Sequence, residues 1–203
     1  MPAQVEFHFD FGSPNAYLAH KLIPGIEQRT GVAFRYVPIL LGGVFKLTNN
    51  QPPMLQFKGI KNKLEYQKLE VRRFIAKHGL TRFKMNPHFP VNTVQIMRGA
   101  IAARPGEEFQ RYVEVTFAAM WEEGKKMDDP EVIRASLDAA GLDAGRLTAA
   151  IQDKSVKDAL IKTTEDSVAR GTFGAPTFYV GEEIFFGKDS LGAVEEKILA
   201  TKA

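Results

Sequence analysis

The chain has 203 residues, 44% hydrophobic and 25% charged, which suffices for one large domain, or a domain carrying an insertion, whose core needs no covalent staples. The 27 lysines and arginines exceed the 24 acids by only three, spread along the chain, which gives no support to nucleic-acid binding. No apolar run is long enough to span a bilayer, and the absence of cysteine excludes disulfides, thiolate metal sites and redox chemistry by the protein's own sulfur.

Met1-Pro2-Ala3-Gln4 lack the basic and apolar regions of a secretory leader, so a cytoplasmic location is expected. Val5, Phe7, Phe9 and Phe11 then alternate with Glu6, His8 and Asp10, a period of two that predicts a strand. Over 14–29, Ala16, Ala19, Ile23 and Ile26 recur at helical spacing with Gly31 as the stop, and Pro24 should kink that helix. Residues 32–41 are rich in strand formers, so the chain opens β-α-β with a parallel pair. After Gly42-Gly43 only helices and loops are expected as far as about residue 170. These comprise a turn-rich loop at 49–53, a helix over 63–78 with Leu64, Val71, Phe74 and Ile75 inward, and a break at 86–90. Helices follow over 92–103, through the stripe Phe109, Tyr112, Val113, Thr116, Phe117, Met120 and Trp121, from Asp129-Pro130 to Gly141, and over 155–170. Strands return as a hairpin at 177–180 and 184–186, and a last helix starts with Asp189 as its cap. The expected architecture is a small α/β domain made of 1–41 and 171–203, with a helical domain, 42–170, inserted and packed against it across a cleft.

Three stretches carry candidate chemistry, and this topology brings them to one edge of the sheet. Ser13 precedes Pro14, which makes it the N-cap of the first helix; its hydroxyl and the first-turn amides favour an anion, or a thiol becoming one, unless Ser13 only caps. Gly174-Ala175-Pro176 before a strand is either a plain loop or a cis bond that exposes the Ala175 backbone to an extended, peptide-like ligand. Gly187-Lys188-Asp189-Ser190 either caps the last helix or holds a carboxylate on its amides while Asp189 takes an ammonium. A serine hydrolase is disfavoured, because Phe11 and Asn15 stand where a nucleophile elbow has glycines. His8, His20, His78 and His88 show no metal-ligand spacing and are read as structural.

The opening Phe9-Asp10-Phe11-Gly12-Ser13-Pro14 with Tyr17-Leu18-Ala19 belongs to a wider set of motifs. With Leu41-Gly42-Gly43-Val44-Phe45-Lys46, Asn50-Gln51-Pro52-Pro53, Phe89-Pro90-Val91-Asn92, Phe173-Gly174-Ala175-Pro176-Thr177 and Phe186-Gly187-Lys188-Asp189, it resembles the 2-hydroxychromene-2-carboxylate isomerases, which belong with the kappa-class glutathione transferases. The resemblance spans nearly the whole chain. It implies a thioredoxin-like β-α-β/β-β-α sheet of the disulfide-oxidoreductase type with a large all-helical insertion, a homodimer, glutathione at the sheet edge, and a serine in place of the redox cysteine. Carried over by position, Ser13 would hydrogen-bond the glutathione sulfur and Ala175 with Pro176 would meet the tripeptide backbone. Phe186, Gly187, Lys188 and Asp189 would hold the γ-glutamyl end, and Lys46, Asn50 and Asn92 would lie near a small aromatic hydroxy or keto acid. Ser190 departs from the family, which often has arginine there. The implied reaction interconverts 2-hydroxychromene-2-carboxylate and trans-o-hydroxybenzylidenepyruvate, a step of aromatic hydrocarbon breakdown such as that of naphthalene. A kappa-like transferase acting on general electrophiles and a non-catalytic thioredoxin-like binding module are the alternatives.

Overall fold

The computed structural model describes residues 4–202; Met1, Pro2 and Ala3, on which the leader expectation rests, lie outside the described residues. Four strands, β1 (Val5–Phe9), β2 (Phe34–Pro38), β3 (Thr177–Val180) and β4 (Glu183–Phe186), form one sheet in the order β2-β1-β3-β4. β1 pairs parallel with β2, antiparallel with β3, and β3 antiparallel with β4, so the expected β-α-β and β-β-α halves share one sheet. Helices α1 (Pro14–His20) and α2 (Ile23–Thr30) link β1 to β2. Eight more lie between β2 and β3: α3 (Leu41–Thr48), α4 (Pro53–Gln56), α5 (Lys63–His78), α6 (Val94–Ala102), α7 (Glu107–Trp121), α8 (Pro130–Ala139), α9 (Ala144–Ala150) and α10 (Lys154–Ala169). A 3₁₀ turn over Lys188–Ser190 leads into α11 (Leu191–Ala200).

Four expectations need correction. The single kinked helix over 14–29 is two helices, because a proline at 24 has no amide to give and its ring excludes the carbonyl four residues back; the chain restarts with Pro24 in the first turn of α2. β2 covers Phe34–Pro38 rather than 32–41: the Ile39 amide makes a last bond to the Phe9 carbonyl at 3.0 Å, and Leu41 already opens α3. Gly42-Gly43 lies inside that helix instead of ending an element. A methyl on Gly43 would sit 3.2 Å from Thr164 Cγ2, so glycine there lets α3 approach α10. Asp189 does not cap the last helix: it lies in the 3₁₀ turn, and Ser190, whose hydroxyl closes the turn onto the Gly187 carbonyl at 2.7 Å, is the boundary residue. Helix α9, capped by Asp143 on the Arg146 amide at 3.0 Å, has no counterpart in the sequence reading.

The main core runs through the sheet and the helices, and a small second cluster joins Val37, Ile39 and Val44. Phe7 stacks on Phe178 at 5.3 Å across β1 and β3, Phe11 meets Phe117 of α7 edge-on at 4.8 Å, and the Trp121 indole N–H donates to the Phe11 carbonyl at 2.8 Å. At Gly99 an added methyl would overlap the Tyr112 ring, whose buried hydroxyl donates to the Ile96 carbonyl at 2.9 Å; α6 needs glycine there for α7 to dock.

The polar residues of β1 are buried as well. Glu6 accepts from Arg35 at 2.7 Å and Arg170 at 2.6 Å and pairs with His8 at 2.7 Å. His8 in turn contacts the Ser167 hydroxyl at 2.8 Å, and that hydroxyl reaches Thr172 at 2.7 Å. Burial by itself would raise the Glu6 carboxyl, but its bonds to His8, Arg35 and Arg170 hold it at about 2. This serine–histidine–glutamate chain is sealed, with Ser167 only 1% exposed, so it braces α10 against the sheet and offers nothing to a substrate.

Candidate active site

Ser13 stands where β1 gives way to α1. Its hydroxyl accepts from the Ala16 amide at 3.2 Å, capping the helix as expected, and donates to the Ala175 carbonyl at 2.9 Å. The side chain is 5% exposed, and these backbone partners leave it without the histidine a serine nucleophile requires. Because α1 is only seven residues long, its dipole is shorter than a helix over 14–29 would supply.

The Ala175–Pro176 peptide is cis, and the Pro176 carbonyl accepts from the Gly187 amide at 2.9 Å. The three stretches therefore meet in space: Ser13 on Ala175, and Pro176 on Gly187. That Gly187 amide is already paired, so it is not free to hold a carboxylate. Two residues earlier, the Phe173 carbonyl accepts from Asn50 Nδ2 at 2.9 Å, which places Asn50 on the same loop. Phe186 leans over Gly174, where a methyl would come within 2.8 Å of its Cε2, and packs on Phe173 at 4.5 Å.

Lys188 and Asp189 face elsewhere. The Lys188 ammonium is buried, bonded to both Asp189 carboxylate oxygens at 2.7 and 2.6 Å and set 4.6 Å above the Phe74 ring of α5. Both residues line a cleft of about 530 Å³ between α2, α5 and α11, to which Arg29, Arg73 and Lys77 also contribute. Ser13, Phe186 and Gly187 are not among its lining residues. Lys46 is exposed on the last turn of α3, and exposed Asn92 turns its side-chain oxygen onto the Val94 amide at 3.1 Å.

Sequence reasoning missed Asp10. Its carboxylate, 1% exposed, accepts from the Gly12 amide at 2.8 Å and the Leu41 amide at 2.7 Å, with the Thr93 hydroxyl as a third donor. Burial pushes this carboxyl up, against the pull of those donors. One group thus joins the turn carrying Ser13, the start of the helix carrying Lys46, and the residue after Asn92. Alternation along β1 marked Asp10 only as polar; the signal available was an acid placed between Phe9 and Phe11 at a strand end. Of the histidines, His20 pairs with Glu114 at 2.8 Å and Tyr36 at 2.8 Å, and His78 packs on Phe74 at 4.5 Å. Among the described residues no group of three or more histidine, aspartate or glutamate side chains could hold a metal ion.

A family model described as a DsbA-like thioredoxin domain matches residues 4–199. A 2-hydroxychromene-2-carboxylate isomerase of Sphingobium xenophagum is 26% identical over 201 residues, covering 98% of this chain and 100% of the relative. The Pseudomonas putida protein of the same name is 28% identical over 193 residues, covering 94% and 92%. Human glutathione S-transferase kappa 1 is 24% identical over 191 residues, covering 87% and 80%. A solved structure of 2-hydroxychromene-2-carboxylate isomerase matches with a TM-score of 0.82 at 27% identity, over 97% of this chain and 94% of that one.

Proposed function

We propose that this chain, which belongs to the DsbA-like thioredoxin domain family, is a glutathione-dependent isomerase that interconverts 2-hydroxychromene-2-carboxylate and trans-o-hydroxybenzylidenepyruvate. The observation that carries the reading is the Ser13 hydroxyl, the side chain that caps α1 and also reaches the carbonyl preceding Pro176. A redox pair has no place in a chain without cysteine, and a hydroxyl donor at this corner suits a sulfur brought in by a ligand.

The residues fit glutathione in three respects. Ser13 is one bond rotation from releasing the Ala175 carbonyl. That carbonyl, once free, accepts from a peptide N–H of an extended ligand, while the serine hydroxyl turns to the sulfur. The Asp189 carboxylate is bonded to Lys188 through both oxygens yet 76% exposed, so its remaining lone pairs can be shared with an ammonium. When bound, glutathione supplies the sulfur nucleophile whose reversible addition to a conjugated carbon turns a double bond into a rotatable single bond. Ser13 keeps that sulfur anionic, and Pro176 and Phe186 flank the tripeptide. The γ-glutamyl end meets Lys188 only by extending past the 187–189 turn into the cleft between α2, α5 and α11, where that ammonium is bonded to Asp189. Lys46 faces the substrate carboxylate, and the Asn50 and Asn92 amides face its oxygens. Exposed Leu47, Met54, Leu55, Ile60 and Tyr66 support an apolar face for a homodimer, which sedimentation tests.

Calorimetric titration with glutathione separates an enzyme from a binding module, because only the enzyme readings require a saturable glutathione site. Following the ultraviolet absorbance of 2-hydroxychromene-2-carboxylate with and without glutathione then separates the isomerase from a kappa-like transferase. Saturable glutathione binding without isomerisation would transfer the assignment to the transferase.

A further inference from the structure

We propose that Phe173 is the stacking surface for the substrate's aromatic ring. The inference rests on the isomerase reading and adds a recognition residue to it. Phe173 is 43% exposed and Phe186 is 47% exposed, yet the two rings touch at 4.5 Å. A side chain of this size left in water forfeits the stabilisation of burial, unless something flat covers it for part of the working cycle.

The ring is also held still. Phe186 supports it from one side, and Phe186 takes that position because Gly174 has no side chain to block it. The Phe173 carbonyl is bound by Asn50, and the Ala175 carbonyl two residues on is bound by Ser13. Phe173 thus belongs to a three-residue stretch, 173–175, fastened at both ends by side chains of the candidate site. An exposed π-face on the loop whose carbonyls are bound by Ser13 and Asn50 matches a ligand with a planar ring, a reactive conjugated carbon and acid oxygens.

The test compares wild type, Phe173→Ala and Phe173→Trp. For Phe173→Ala, KM for 2-hydroxychromene-2-carboxylate should rise about five- to tenfold, glutathione Kd by calorimetry should stay within about twofold, and Phe173→Trp should restore KM. An unchanged KM, or glutathione binding that weakens in step, overturns the proposal. Should the wild-type protein fail to isomerise, the parent reading fails by itself, and fluorescence titration with 1-hydroxy-2-naphthoate and 2-hydroxybenzoate tests Phe173 directly. Wild type should then bind both aromatic acids, and Phe173→Ala should weaken both about five- to tenfold. Unchanged affinities in the alanine variant, no binding to wild type, or an alanine variant that instead changes sedimentation by separating two copies of the chain would each refute a substrate-stacking role.

Discussion

Replacing Ser13 with alanine removes one oxygen with two hydrogen bonds, and the structure allows the structural and catalytic costs to be separated. The Ala16 amide also lies 3.1 Å from the Ser13 carbonyl, so losing the cap leaves it a partner and costs about 0.5–1 kcal/mol. The Ala175 carbonyl loses its donor at a half-buried position that water reaches, adding up to about 1 kcal/mol. For a chain of this length those sums lower Tm by about 1–8 °C. Loss of one preorganised donor to a developing negative charge, by contrast, lowers kcat about 100- to 1,000-fold, or about 3–4 kcal/mol. The catalytic effect therefore exceeds the structural one, and at 25 °C the variant remains folded. Stopped-flow ultraviolet absorbance gives kcat, calorimetry gives glutathione Kd, and a melting curve gives Tm. The reasoning is refuted if kcat stays within about threefold of wild type, or if glutathione affinity collapses by the same factor as kcat.

Three further outcomes are expected. Gly99→Ala, although alanine favours helix, should destabilise by about 2–3 kcal/mol because the methyl overlaps the Tyr112 ring and breaks its bond to Ile96; urea unfolding measures this, and a stabilised variant would sink the packing argument. Glu6 titrates near 2 in the folded protein against an ordinary 4.5, so its contribution, on the order of 3 kcal/mol, is complete above 4.5 and disappears as pH falls toward 2. His8, held below its ordinary value chiefly by burial, acts in the same direction. Glu6→Gln should accordingly lower the urea midpoint at neutral pH and converge on wild type near pH 2–3, whereas a pH-independent gap would contradict the assignment. Gly174→Ala should displace the exposed Phe186 ring with a stability change under about 1 kcal/mol, while weakening aromatic-acid binding in a fluorescence titration; unchanged binding would show that the Phe173–Phe186 pair does not depend on that close approach.

Local signals in this chain were legible where one residue type admits one reading. Serine before proline marked the α1 cap, the stripe from Phe109 to Trp121 marked α7, and the helix expected over 63–78 forms as Lys63–His78. Signals failed where tertiary contact reversed their usual meaning. The glycine pair at 42–43 looked like a break, but it lies within α3 and Gly43 provides room against Thr164, and Asp189 looked like a cap while its carboxylate is bonded to buried Lys188. Alternation along β1 identified a strand but could not show that its polar residues are all covered, because Glu6, His8 and Asp10 are satisfied by groups distant in sequence. For the candidate site, proximity of Ser13 to Ala175 followed from topology. The division between a Phe173–Phe186 side and a Lys188–Asp189 side depends on how one turn twists, and no residue pattern encodes it.

The peptide flanking Phe11 is gripped twice: its amide donates to Met97 sulfur at 3.4 Å from α6, and its carbonyl receives the Trp121 indole from α7. Ser13 lies two residues further on, so the helical layer works as a vice on the turn that carries it rather than as a lid above it. Breathing that loosens either jaw necessarily displaces the serine. Cavities engineered beneath Met97 or Trp121 are therefore a way to detune turnover from a distance, without altering any atom that a substrate meets.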